Sequence, residues 1–85
     1  MASTELRITD EVGLHARPAA RFVKAAAGFV SSVRVSHGHR TADAKSLLEI
    51  LQLEAGKGAQ IVIEARGDDE DEALRVLAGM LAGED

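Results

Sequence analysis

The sequence predicts an α+β fold: an antiparallel sheet with all helices packed on one face and water on the other. Three observations lead there. Each strand-like stretch alternates apolar and polar residues, so it has one wet face. Each helical stretch carries a single apolar stripe. The order along the chain is β-α-β-β-α-β-α, which suits helices gathered on one side of an antiparallel sheet.

The first strand is read at Thr4–Thr9, where Leu6 and Ile8 alternate with Glu5 and Arg7. The first helix is read at Pro18–Ala27, with Ala19, Phe22, Val23 and Ala26 on one stripe. Arg17 and Pro18 suit its start, because proline at the first helical position lacks only a donor that would be unpaired anyway. Gly28 suits its end. Ser32–His37 alternates again, with Val33 and Val35 apolar. Gly38 then marks a tight turn into a short third strand, Arg40–Asp43. A short second helix is read at Leu47–Leu53. Ser46 and Glu49 form a capping box there, the hydroxyl taking the Glu49 amide and the Glu49 carboxylate reaching back. Gly56 and Gly58 mark the turn into the last strand, Gln60–Arg66, which sets Ile61, Ile63 and Ala65 on one face. The third helix follows "GDDEDE", whose carboxylates favour a helix N-terminus. Its stripe is Ala73, Leu74, Leu77 and Leu81, flanked by Val76 and Met80.

At 85 residues, one domain spanning 1–85 is expected, with a compact core and no large substrate cavity. A hydrophobic fraction of 46% argues for a globular core. Cysteine is absent, which removes disulfides and thiol chemistry and fits a reducing compartment. The first residues lack the basic and apolar regions of a signal peptide, and no run approaches the ~20 apolar residues of a membrane span. A cytoplasmic protein without membrane insertion is expected. The net charge is −4 and aromatic residues are 2%, so nucleic acid is a poor overall partner, lacking basic grooves and stacking rings. The default oligomeric state is a monomer.

The segment most loaded with chemistry is "GLHARPAA", Gly13–Ala20. His15 stands just upstream of a helix start, where free amides and the helix dipole make an anion site. Arg17 adds a permanent, fork-shaped donor. The helix N-terminus should keep the imidazole neutral, hence nucleophilic near pH 7. Gly13 lets the loop bring the ring into place. Spacing alone nevertheless favours an ordinary loop ending in a good helix initiator. No Asp or Ser stands in the pattern of a hydrolytic triad. His37-Gly38-His39 reads as a solvated turn, and no metal site or cofactor is implied.

"GLHARPAARFV" at Gly13–Val23 resembles the active-site signature of the HPr phosphocarrier family of the bacterial phosphoenolpyruvate:sugar phosphotransferase system. The resemblance covers essentially the whole chain. "KSLLEILQL" at Lys45–Leu53 is similar to that family's second helix, and "GDDEDEAL" at Gly67–Leu74 to the entry of its third. It implies an open-faced β-sandwich whose four-stranded sheet has the order 1-4-2-3. It implies a carrier that needs partner enzymes rather than an enzyme. His15 would take a phosphoryl group on Nδ1 from phosphorylated enzyme I and pass it to sugar-specific IIA components. Arg17 would neutralise developing charge, and amides near Ala16 and Arg17 would hold the phosphoryl oxygens.

A carrier also needs a docking surface. Leu47, Leu48, Ile50, Leu51 and Leu53 are more apolar positions than a two-turn helix buries on one side. By angle, Leu47, Ile50 and Leu53 share the core face, leaving Leu48 and Leu51 near the surface. The plain account is a slightly apolar helix; the resemblance makes it a docking patch beside His15. Arg17, Arg21 and Lys24 follow helical spacing and form a basic rim. The expected partner surface comprises Ala16, Ala20, Arg21 and Lys24 with Leu47, Leu48 and Leu51. Ser46 has two readings: an N-cap, and, by resemblance, the target of a dedicated serine kinase and phosphatase acting with a catabolite-control regulator.

Two residues depart from the family pattern. Val12 stands where Ser or Asn is frequent before the glycine, so it cannot bond the phosphorylated ring. Glu54 stands where a glycine often follows the second helix, and Gly56, after a longer helix, is expected to do that work. A purely regulatory homologue is disfavoured by the presence of His15. A carrier for a different phosphorelay is not separated by sequence from one serving sugar transport.

Overall fold

A computed structural model of the chain describes residues 1–8, 16–56 and 58–81, and no side chain of Ala16 or Arg17. The elements are β1 (Ala2–Arg7), α1 (Ala16–Ala27), β2 (Ser32–His37), β3 (Arg40–Asp43), α2 (Leu47–Gln52), β4 (Gln60–Arg66) and α3 (Glu70–Leu81). They form one four-stranded antiparallel sheet of order β1-β4-β2-β3 under three helices.

β4, the last strand made, is inserted between β1 and β2. Its register aligns Thr4 with Ile63, Ile63 with Val35, and Val35 with Ala42, one row on the packed face. Ile61, Ile63 and Ala65 of β4 are at most 1% exposed, as befits a strand flanked on both sides. The opposite face carries the row Ser3, Glu64, Arg34, Asp43. There opposite charges stand side by side across strands, an arrangement that favours pairing. Above the packed face, Ala19, Phe22 and Ala26 of α1 meet Ile50 and Leu53 of the α2 region and Ala73, Leu77 and Leu81 of α3. Phe22 is completely buried, worth ~1.5–3 kcal/mol relative to an exposed ring.

Element boundaries differ at three places. β1 starts two residues earlier than its alternation suggests, because Ala2 and Ser3 pair with Ala65 and Glu64. Ile8 continues toward β4 through its amide to the Ala59 carbonyl (2.9 Å); Thr9 lies outside the described residues. α1 begins at Ala16, so Pro18 is the third helical residue rather than the first, still within the four positions whose amides lack a helical acceptor. α2 ends at Gln52 with Leu53 as its C-cap.

The β2–β3 hairpin closes through Gly38 and His39 between the paired residues His37 and Arg40. Gly38 has φ 65° and His39 no positive φ, the sign pattern of a type II′ turn, which wants glycine first. After α2 the expected use of Gly56 does not occur. Glu54 itself adopts the left-handed conformation, φ 55°, at a cost of roughly 1–2 kcal/mol for a residue with a Cβ. Packing outweighs this: Leu53 on one side and Ala55 on the other are both buried, and the chain must reverse between them.

The acidic turn before α3 does more than complement a dipole. Ser31, fully buried, donates its hydroxyl to the Asp69 carboxylate. The Ser31 and Val30 amides donate to the same group, each at 3.0 Å. Asp69 also accepts, on its carbonyl, the first α3 amide bond from Ala73 (2.9 Å). One carboxylate thus joins the start of β2 to the start of α3. The Ser31 hydroxyl bond, then the two amides, hold the Asp69 carboxyl below its ordinary range, against partial desolvation. A carboxyl depressed in the folded state contributes stability above its unfolded pKa, lost as pH falls through the folded value. The denaturation midpoint should therefore fall progressively as the pH drops below the ordinary carboxyl value of 3.8, and Asp69→Asn should make that drop shallower. An identical acid limb in the variant would contradict this role.

Candidate functional site

The site is built around the start of α1. Chain connectivity places His15 immediately before Ala16, the first helical residue. Thr9 to His15, including Val12 and Gly13, lie outside the described residues, as does the side chain of Arg17. What is described is the frame that holds them. The first turn of α1 contains no acidic residue and its last turn contains Lys24. The positive end of the helix dipole is therefore uncompensated by any carboxylate of that turn. α1 is anchored by Ala19, Phe22 and Ala26, all completely buried. Ala20, Arg21 and Lys24 are exposed on the other side.

α2 packs beside α1. Leu48 is 67% exposed, Leu51 38% and Leu47 41%. The placement of Leu48 and Leu51 agrees with the sequence reading; that of Leu47 does not. Ala44, Ile50 and Leu53, at 0–2% exposure, fill the core beneath the helix, and Leu47 at its first turn is left at the rim. Three leucines, not two, therefore face outward, in a protein whose interior claims most of its other large apolar side chains. Single exposed leucines need no explanation, but three on one short helix form a patch.

Ser46 caps α2 with extended backbone, φ −112° and ψ 110°, and its hydroxyl accepts the Glu49 amide at 3.3 Å. The other half of the expected capping box is absent. Glu49 instead accepts from the Asp43 amide (2.9 Å), because the Ser46 amide is already bonded to the Asp43 carbonyl (3.0 Å). Ser46 is half-buried. Lys45 beside it donates to the Phe29 carbonyl (2.8 Å), tying this loop to the end of α1.

At the other end of α2 stand Arg40, to which the sequence reading gave no site role, and His37, read there as part of a solvated turn but half-buried against α2. His37 donates from Nδ1 to the Leu53 carbonyl (2.9 Å); a carbonyl only accepts, so this nitrogen carries the proton. Arg40 donates to the Gln52 carbonyl (3.0 Å) and pairs with the Glu54 carboxylate (3.4 Å). Neither contact leaves a local sequence signal, since both join residues 12 or more apart. Among the described residues no group of three or more His, Cys, Asp or Glu is arranged to hold a metal ion. No helix among them is long and apolar enough to cross a membrane.

Comparison with known proteins agrees with this frame. The family model described as "PTS HPr component phosphorylation site" matches residues 2–82. The phosphocarrier protein HPr of Cupriavidus necator is 38% identical over 82 residues, covering 96% of this chain and 92% of that protein. HPr of Haemophilus influenzae is 40% identical over 81 residues, 95% of each. The crystal structure of HPr from Thermoanaerobacter tengcongensis superposes with a TM-score of 0.92 at 36% identity, covering 100% of this chain and 99% of that one. The chain therefore belongs to the HPr family, phosphocarrier proteins of the phosphoenolpyruvate:sugar phosphotransferase system that carry a phosphoryl group without being catalysts.

Proposed function

We propose that the chain, acting as a single cytoplasmic domain, accepts a phosphoryl group on His15 from phosphorylated enzyme I and delivers it to sugar-specific IIA components. The observation that carries this is the position of His15 one residue before a helix with no carboxylate in its first turn, in a member of the family named for its phosphorylation site. The neutral Nδ1 lone pair attacks phosphorus. The bond from phosphorus to enzyme I breaks, and its electron pair stays with enzyme I. The reverse sequence on an acceptor nucleophile of the IIA component discharges the carrier. Backbone amides of Ala16 and Arg17, in the first turn of α1, would take the charge on the phosphoryl oxygens, and the Arg17 guanidinium is assigned the role of neutralising it. The test is incubation with enzyme I and phosphoenolpyruvate, followed by mapping of acid-labile, base-stable phosphate. Phosphate on His15 supports the reading; phosphate elsewhere, or none, rejects it.

The docking surface is assigned to Ala20, Arg21 and Lys24 on α1 with Leu47, Leu48 and Leu51 on α2, an apolar centre with a basic edge that favours acidic partner surfaces. Leu48 is the most exposed of the three leucines, so Leu48→Glu should leave thermal stability unchanged while slowing transfer from enzyme I about tenfold or more, the effect of setting a charge in an apolar contact. Equal transfer rates would remove α2 from the surface. Phosphorylation of Ser46 by a serine kinase is supported by its single long hydrogen bond and incomplete burial. A phosphate there would place negative charge beside the patch. Adding such a kinase and ATP to the mapping assay decides it: an unmodified Ser46 ends the idea.

A further inference from the structure

We propose that His37 is a positioning residue for partner docking: with Arg40 it clamps the C-terminus of α2 and so fixes the leucine patch. The proposal rests on the reading of α2 as docking surface. α2 has six residues, far below the ~12–15 at which a helix holds itself in water. Its orientation depends on side chains from elsewhere. The N-terminal end has Ser46 and the Glu49 contact to β3. At the C-terminal end the last carbonyls have no helical partner. Those of Gln52 and Leu53 are taken by Arg40 and His37.

Both donors come from the two residues that close the β2–β3 hairpin. The hairpin end is thus joined to α2 just where Glu54 must turn back in a strained conformation, φ 55°. Leu51 lies within that last turn, its carbonyl accepting from the Glu54 amide (3.3 Å). Loss of the His37 donor frees the turn, and Leu51 with it. Partner binding then requires reordering of the helix end, which weakens association. The phosphoryl transfer itself takes place at the start of α1 and does not involve this contact.

The experiment measures phosphorylation by enzyme I and phosphoenolpyruvate with the carrier as varied substrate. His37→Phe keeps a ring but removes the donor. It should raise KM about fivefold, the worth of one hydrogen bond, with kcat unchanged. His37→Gln, whose amide can reach the same carbonyl, should return KM to within about twofold of the parent. Ile61→Val, a core change of comparable cost to stability, should leave KM alone. Unchanged KM in His37→Phe overturns the proposal, as does an equal rise in Ile61→Val, which would mark the effect as general destabilisation. Leu48→Glu separates the two levels. If it slows transfer while His37→Phe does not, the clamp is wrong and the docking surface stands. If neither has an effect, the docking surface fails and the clamp with it.

Discussion

His15→Ala should abolish phosphoryl acceptance, lowering the rate of charging by enzyme I more than about a thousandfold. In the proposed reaction the imidazole supplies the nucleophilic nitrogen. Cysteine is absent from the chain. His37 is engaged at the opposite end of α2 from Ser46, and His39 sits in the hairpin turn. The fold should be unaffected, because α1 is anchored by Ala19, Phe22 and Ala26, all completely buried. The variant should therefore keep its melting temperature and its circular dichroism while losing acid-labile phosphate. A variant that still becomes charged and relays its load at the parental rate would end the assignment of His15.

Gly67→Ala should be the most damaging single-atom-scale change to the fold. Gly67 has φ 150°, a region that residues with a side chain rarely adopt. A Cβ there would lie 2.5 Å from Ser31 Oγ, 2.7 Å from its Cα and 2.9 Å from its Cβ. Ser31 cannot give way, since it is fully buried and its amide and hydroxyl are both held by Asp69. Backbone strain and overpacking each cost ~1–3 kcal/mol, so a loss of about 3 kcal/mol is expected. Against a total of ~5–15 kcal/mol, that is a large share. It should lower Tm by roughly 10–25 °C in a domain of this size. A Tm within a degree or two of the parent would show that the turn relaxes without cost.

The strands and helices were legible because burial on one face imposes period two or 3.6 on the sequence. Phe22, Val33, Val35, Ile61, Ile63 and Leu77 could be named as core without coordinates for that reason. Ser46 was legible as an N-cap for a similar one: capping is settled within four residues. The capping box failed at Glu49, whose choice between the Ser46 and Asp43 amides depends on a turn that already uses one of them. Leu47 failed because angular counting treats a six-residue helix as a long cylinder lying flat on its core. Glu54 failed because a left-handed backbone angle on a non-glycine residue is imposed by neighbours being buried, not by its own preference.

By itself the sequence determined the number and order of elements and their inward faces, and it set His15 and Arg17 at the start of α1. Each of these is a local property of spacing, charge and capping within a few residues. Only the tertiary structure decided that Asp69 would reach across to Ser31 and Val30, that Leu47 would join Leu48 and Leu51 outside, and that His37 and Arg40 would hold the end of α2. Those outcomes depend on which backbone groups packing leaves without partners, and such groups are satisfied by whatever side chain the fold brings near, however distant along the chain.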